Sequence, residues 1–382
     1  MKLSTDRILT THVGSLPRSD EVWAMLQAKE QGELADQGAF DACMTAAVGA
    51  VVKKQVEDGI AVVSDGEMSK IGYATYIKDR FTGFSGDSPR LPPADLAMYP
   101  RYMKKIHAAG ETPTIRRQLC TGPVAIRDRA PLAKDIANMT AAVAAARPVD
   151  AFMNAASPGV IALFQPNRYY PSHEAYLGAL AEVMREEYEA IVAAGLVLQV
   201  DCPDLAMGRH IMFASESDAA FLKAAAQNVE ALNHALARVP ADRVRMHLCW
   251  GNYEGPHVCD IPLQQIIGTV LKAKPQAISF EAANPRHGHE WAVLKEAKVP
   301  DDKVLLPGVI DSVSNFVEHP EYVAERICRF ADIVGRERVL ASSDCGFGTH
   351  AGFGKIDADI VDAKLKALAE GAAIASRRLW RS

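Results

Sequence analysis

The stretch "VRMHLCWGN", residues 244–252, places His247 and Cys249 two apart at the end of an apolar run. On a β-strand, side chains alternate faces with a period of two, so both project to the same side. An imidazole beside a thiolate is half of a zinc tetrahedron; zinc accepts sulfur, nitrogen and carboxylate oxygen. The same dipeptide also fits a half-buried strand with a hydrogen-bonded imidazole, and spacing alone does not separate the two readings. Glu281 in "ISFEA" and Cys345 in "SSDCG" fall at the ends of two other apolar runs. If the runs share one sheet, His247, Cys249, Glu281 and Cys345 form a complete ligand set. Two neighbouring thiolates repel, and a divalent cation between them removes that penalty.

The elements that must position these residues alternate regularly. Strands are expected at 8–13, 60–64, 150–156, 196–201, 243–249, 277–281, 304–310 and 338–343. Several are near-continuous apolar runs, the pattern of parallel strands covered on both faces. The intervening segments have helical periodicity. Leu177, Leu180, Met184, Tyr188 and Ile191 form one stripe closed by Gly195, and Val323, Ile327 and Phe330 form another between Pro320 and Gly335. Eight strands alternating with helices predict an α/β fold, a single (β/α)8 barrel spanning residues 1–382. A barrel needs about 250 residues, so an insertion is expected at about 80–148, between the second and third strands, with an apparent hairpin in "IRRQLCTGPVAI".

In such a barrel the C-terminal strand ends carry the chemistry. Read in order, they present His12 to Ser15, Asp65 and Glu67, Ser157, Asp201, His247 and Cys249, Glu281, Asp311, and Asp344 with Cys345. Asp65 and Asp201 also suit helix caps. The net charge of -5 gives no basic footprint for nucleic acid, and no run is apolar enough to cross a bilayer. Seven cysteines and an N-terminus without a long apolar segment predict reduced thiols in a cytoplasmic protein. Whether copies associate into a homo-oligomer is left open.

The motifs "ILTTHVGSLPRS", "SDGE", "LQVDCPDLA", "HLC", "ISFEA", "LPGVID" and "SSDCGFGT" occur in one order along nearly the whole chain. Together they resemble the C-terminal catalytic barrel of cobalamin-independent methionine synthase and its short-chain relatives. The resemblance implies a Zn2+ site on His247, Cys249, Glu281 and Cys345, at which a substrate thiol, homocysteine in that family, accepts a methyl or other alkyl group. It also implies that Glu67 and Asp201 hold the substrate ammonium and that Ser15 helps its carboxylate.

The chain departs from the family on the donor side. Val313 stands where the family's acidic histidine is expected, Asp311 remains, and His319 lies too far along. The folate-stacking tryptophan has no counterpart; Phe164 occupies the corresponding stretch. These 382 residues contain no duplicate N-terminal barrel. Tyr169, Tyr170, Arg209 and His210 are candidates for a donor pocket with Phe164 and Asp311, against an alternative of ordinary loop packing. Other readings are an epoxyalkane:coenzyme M transferase-like enzyme, a metal-free decarboxylase on a related barrel, and a zinc-holding protein without a donor site. The first needs Arg168 or Arg209 turned inward to meet a sulfonate.

Overall fold

The apolar runs become strands because each is covered on one side by the barrel interior and on the other by a helix. The computed structural model describes residues 1–89, 92–108, 117–350 and 356–380. Its barrel strands are β1 (Leu9–Thr10), β2 (Val62–Val63), β3 (Asp150–Ala156), β4 (Val197–Asp201), β5 (Val244–Leu248), β6 (Ala277–Phe280), β7 (Val304–Ile310) and β8 (Leu340–Ser343). They form one parallel sheet in the order β1-β8-β7-β6-β5-β4-β3-β2. With the helices around it, this is the expected (β/α)8 barrel. The helices that follow the eight strands in turn are α1 (Gln37–Glu57), α2 (Ala130–Ala146), α3 (His173–Ala193), α4 (Asp218–Ala235), α5 (Leu263–Val270), α6 (Trp291–Glu296), α7 (Pro320–Val334) and α8 (Ala358–Leu379).

β1 and β2 are shorter than the runs that predict them, because they meet at the seam of the barrel. One backbone bond crosses there, from Ala61 N to Thr10 O (3.1 Å). Threonine hydroxyls do the remaining work: Thr10 Oγ1 donates to Gly59 O and Thr11 Oγ1 to Val62 O. The anticipated stripes are buried. Leu177, Leu180, Met184, Tyr188 and Ile191 of α3 and Val323, Ile327 and Phe330 of α7 all pack inward. Each such side chain contributes about 1.5–3 kcal/mol by leaving water.

The register stacks the interior in layers. Phe152, Val197, Val304 and Leu340 belong to an apolar layer. Two residues further along their strands come Asn154 and its partner Gln199, which is in turn paired with Arg245. The next step brings Asp201 beside His247 and His247 beside Ser279. Polarity therefore rises toward the C-terminal ends. Arg245 is fully buried below that top layer. It lies 3.8 Å from the Phe152 ring centroid and donates to Thr11 Oγ1 and His12 O.

Between β2 and β3, Phe84–Ser85 pairs antiparallel with Leu119–Cys120. The stretch read as a local hairpin thus pairs with a segment more than thirty residues earlier, although its first two residues, 115 and 116, lie outside the described residues. Buried Arg80 ties this region to α2 and α3 through Asp135 and Glu187. Among the described residues, no helix is long and apolar enough to cross a membrane.

Gly308 of β7 lets β8 approach. A Cβ there would sit 2.0 Å from Asp344 Oδ1 and 2.6 Å from Asp344 Cα, where backbone has no room to yield. We expect Gly308→Ala to lower stability by about 3 kcal/mol in urea denaturation. Wild-type stability in that variant would show that β8 is free to shift.

Candidate metal centre

The top layer brings together three of the four residues proposed to hold a metal. His247, Cys249 and Cys345 are buried, and one ligand atom from each lies within 4.8 Å of the others. The two sulfurs are 3.8 Å apart. Two sulfurs bound at about 2.3 Å to one tetrahedral ion would be separated by roughly 3.8 Å, so the pair fits a shared cation. His247 Nδ1 lies 3.3 Å from Ser279 Oγ, whereas Nε2 is buried without a partner. Burial, reinforced by the Arg245 charge, pushes this imidazole down to about 3, so it is neutral, as a ligand must be. The neighbouring Cys345 thiol, then burial, pushes Cys249 well above its ordinary range. Without a cation, then, the Cys249 sulfur stays protonated.

Glu281 flanks this group differently. Its Oε1 accepts from Trp250 N and its Oε2 from Asn284 Nδ2, both at 2.8 Å. Burial and the adjacent Cys249 raise its affinity for a proton. Asp344 fixes the loop that carries it, accepting from the backbone of Ala282, Ala283 and Asn284 at 2.7 Å each. In this arrangement Glu281 stands beside Cys249 with both oxygens already engaged.

A cavity of about 400 Å3 opens onto the thiols, lined in part by Ser15, Glu67, Asp201, His247, Cys249 and Cys345. Glu67 adopts a left-handed backbone, φ 57°, a conformation that non-glycine residues occupy only when neighbours impose it. Those neighbours are Asp65 Oδ1, which accepts from Glu67 N, and Arg18, whose guanidinium donates to Glu67 O. Glu67 Oε2 is buried and lacks a hydrogen-bond partner. Asp201 accepts from Asn154 Nδ2 and Gln199 Nε2, so it lines the cavity instead of capping a helix. Burial raises both carboxyls; the Asp201 charge raises Glu67 further, and the Lys70 charge opposes the rise.

This gives a pH prediction. The folded state keeps the Glu67 proton at pH values where the unfolded carboxyl has lost it. Stability is therefore present at low pH and falls as pH rises above the ordinary carboxylate range. Thermal unfolding of ligand-free wild type should show this decline relative to Glu67→Gln. Parallel pH curves for the two proteins would remove Glu67 as its source.

Four of the donor-side candidates serve other contacts. Phe164 packs edge-on against Tyr73, 5.7 Å between centroids, and so supports a cavity residue without lining the cavity. Tyr170 stacks on Tyr176 and its hydroxyl accepts from Val124 N. Arg209 pairs with Asp218 at the start of α4, and His210 lies against Asp260. Asp311 and Val313 line a second cavity of about 650 Å3, which shares Asn252 with the first. Tyr169 is exposed, and His319 caps α7. Sequence reasoning missed Tyr73, Asn154 and Asn252. Only Asn154 left a signal, as a polar residue within the apolar run "DAFMNAA".

A (β/α)8 barrel with thiol and imidazole side chains converging at its strand ends is the architecture of an enzyme acting on a small molecule, here with residues that could hold a metal ion. A family profile described as cobalamin-independent synthase, catalytic domain, matches residues 8–358, and the chain belongs to this family, the thiol S-methyltransferases of the cobalamin-independent methionine synthase type. Methionine synthase of Thermococcus kodakarensis is 26% identical over 97% of this chain and 94% of its own length. The uncharacterized protein YxjH of Bacillus subtilis is also 26% identical, over 88% of this chain and 86% of its own. The fold is similar to that of a B12-independent methionine synthase from Shewanella sp. W3-18-1, solved with selenomethionine: TM-score 0.74, 17% identity, 98% and 99% of the two chains covered.

Proposed function

We propose that the chain is a single catalytic barrel, with residues of about 80–148 as an insertion, and that it methylates the sulfur of homocysteine at a zinc site in the cytoplasm. His247, Cys249 and Cys345 would hold the ion, with Glu281 as the fourth protein ligand before substrate enters. Zinc bound there supplies a Lewis acid that keeps the acceptor sulfur anionic near neutral pH, where a free thiol is mostly protonated. Glu281 would join the ion only by giving up the bonds from Trp250 N and Asn284 Nδ2, so of the four protein ligands it would be the one held least firmly.

The rest of the cavity recognises an amino acid. Glu67 and Asp201 receive the ammonium through charge-assisted hydrogen bonds, and Ser15 assists the carboxylate. Both carboxyls take up a proton more readily than usual when the cavity is empty, and an ammonium between them restores their ionised form. Asn154 holds Asp201 in place, and Tyr73 closes the wall beside the sulfurs. The alkyl donor would approach through the adjoining cavity that contains Asp311. The unpartnered Oε2 of Glu67 carries the choice of acceptor. A sulfonate-bearing thiol would meet two carboxylates and no arginine there, since neither Arg168 nor Arg209 lines the cavity.

The test offers homocysteine and coenzyme M side by side to zinc-loaded protein, with a simple methyl donor. Methylation of homocysteine, at least 100-fold faster, is the expected outcome. Alkylation of coenzyme M alone would discard the amino-acid assignment.

A further inference from the structure

A second group of ligating side chains lies behind Glu281 and is separate from the sulfur pair. Asp260 Oδ2 is 2.8 Å from His257 Nδ1 and 2.9 Å from His287 Nε2. Asp260 Oδ1 is 3.1 Å from His210 Nδ1. All four residues are buried, and they come from the loops that follow β4, β5 and β6. Facing atoms of His257, Asp260 and His287 lie within 4.8 Å of one another, the spacing of ligands around one ion.

Three features distinguish the group from a hydrogen-bonded staple between loops. First, the outer nitrogen of each of two imidazoles is held by an oxygen: His287 Nδ1 by Glu290 Oε2 (2.9 Å) and His257 Nε2 by Tyr253 O (3.0 Å). Metal-bound histidines are oriented in this way, by a carboxylate or a carbonyl behind the ring. With both nitrogens of both rings facing acceptors, each ring would need two protons if no ion were bound. Second, His210 is 1% exposed, yet neither of its ring nitrogens has a hydrogen-bond partner. Its Nδ1 is close to Asp260 Oδ1 but lies off the hydrogen-bonding direction. The group thus borders a buried imidazole whose donors and acceptors the protein leaves unused. Third, the supports are themselves anchored: Glu290 Oε1 accepts from Leu263 N, and Asp95 receives His257 N and the Tyr253 hydroxyl.

We propose that His257, His287 and Asp260 form a second site, for a divalent first-row transition ion bound by two imidazoles and a carboxylate, with His210 beside it. Nitrogen and oxygen donors of this kind suit zinc, manganese, iron, cobalt or nickel. On binding, His257 and His287 each release the proton shared with Asp260, and the ion takes the place of those two protons. The ion braces the loops after β5 and β6. His257, Tyr253 and Asn284 of these loops line the Asp311 cavity. Trp250, whose backbone N–H holds Glu281, stacks on His287 at 4.1 Å. The second ion thus shapes the donor side and the resting position of Glu281. This inference does not rest on the acceptor assignment.

Full-length protein is incubated in turn with Zn2+, Mn2+, Co2+, Ni2+ and anaerobic Fe2+, desalted, and its metal counted by mass spectrometry. With at least one of these ions, wild type should retain two equivalents, and both Cys249→Ala/Cys345→Ala and His257→Ala/His287→Ala should retain one. X-ray absorption of the cysteine double variant should then show only nitrogen and oxygen neighbours. A wild type that retains no more than one equivalent of every ion overturns the proposal. So does a histidine double variant that keeps two. Asp260→Asn preserves side-chain volume and gives the same reading if the histidine variant does not fold.

Discussion

Cys249→Ala and Cys345→Ala should each reduce zinc affinity by well over 100-fold and abolish methyl transfer with it. Changes to groups that only orient a metal ligand already cost about 10- to 100-fold, and here a ligand itself is lost. The sulfurs stand 3.8 Å apart, so either one alone leaves an ion with His247 and a carboxylate committed elsewhere. Both thiols are buried, so the fold of each variant is compared with that of metal-free wild type. Zinc titration with a competing chelator, beside circular dichroism, separates these effects. Unchanged zinc affinity in a folded single variant would remove that cysteine from the site.

Glu67→Gln should raise KM for homocysteine by about 10- to 100-fold, with zinc content unchanged and kcat little affected. A hydrogen bond to a charged group is worth about 1.5–3 kcal/mol, and amide for carboxylate removes the charge but not the shape. The left-handed turn at Glu67 depends on Asp65 and Arg18 contacts to its backbone, which the substitution leaves in place. A thiol of similar length without an amino group should bind wild type and variant alike. If KM for homocysteine does not move, the ammonium lies elsewhere. A loss confined to kcat would place Glu67 in the chemical step.

The reach of the sequence follows from where each residue sits. A strand end of a parallel barrel has one direction to point, so the convergence of His247, Cys249 and Cys345 follows from the period of two and the strand order. The orientation of Glu281 does not, because it depends on a backbone N–H of Trp250 donated across from β5. Residues beyond the strand ends were harder to place. Arg209 and Tyr170 sit in loops near the mouth, yet one pairs with Asp218 and the other supports Tyr176. Side chains in such loops are fixed by tertiary partners that leave no local periodicity. The group around Asp260 was illegible for the same reason, since His210, His257 and His287 meet only when three loops fold together.

The central claim is that one imidazole and two thiolates grip a single ion that then receives the substrate sulfur. Anomalous diffraction at the zinc edge, from a crystal soaked with homocysteine, tests it most directly. The account predicts a peak about 2.3 Å from Cys249 Sγ, Cys345 Sγ and the homocysteine sulfur, with Glu281 still bonded to Trp250 N. Homocysteine bound in the cavity with no anomalous peak between the two cysteine sulfurs would contradict it.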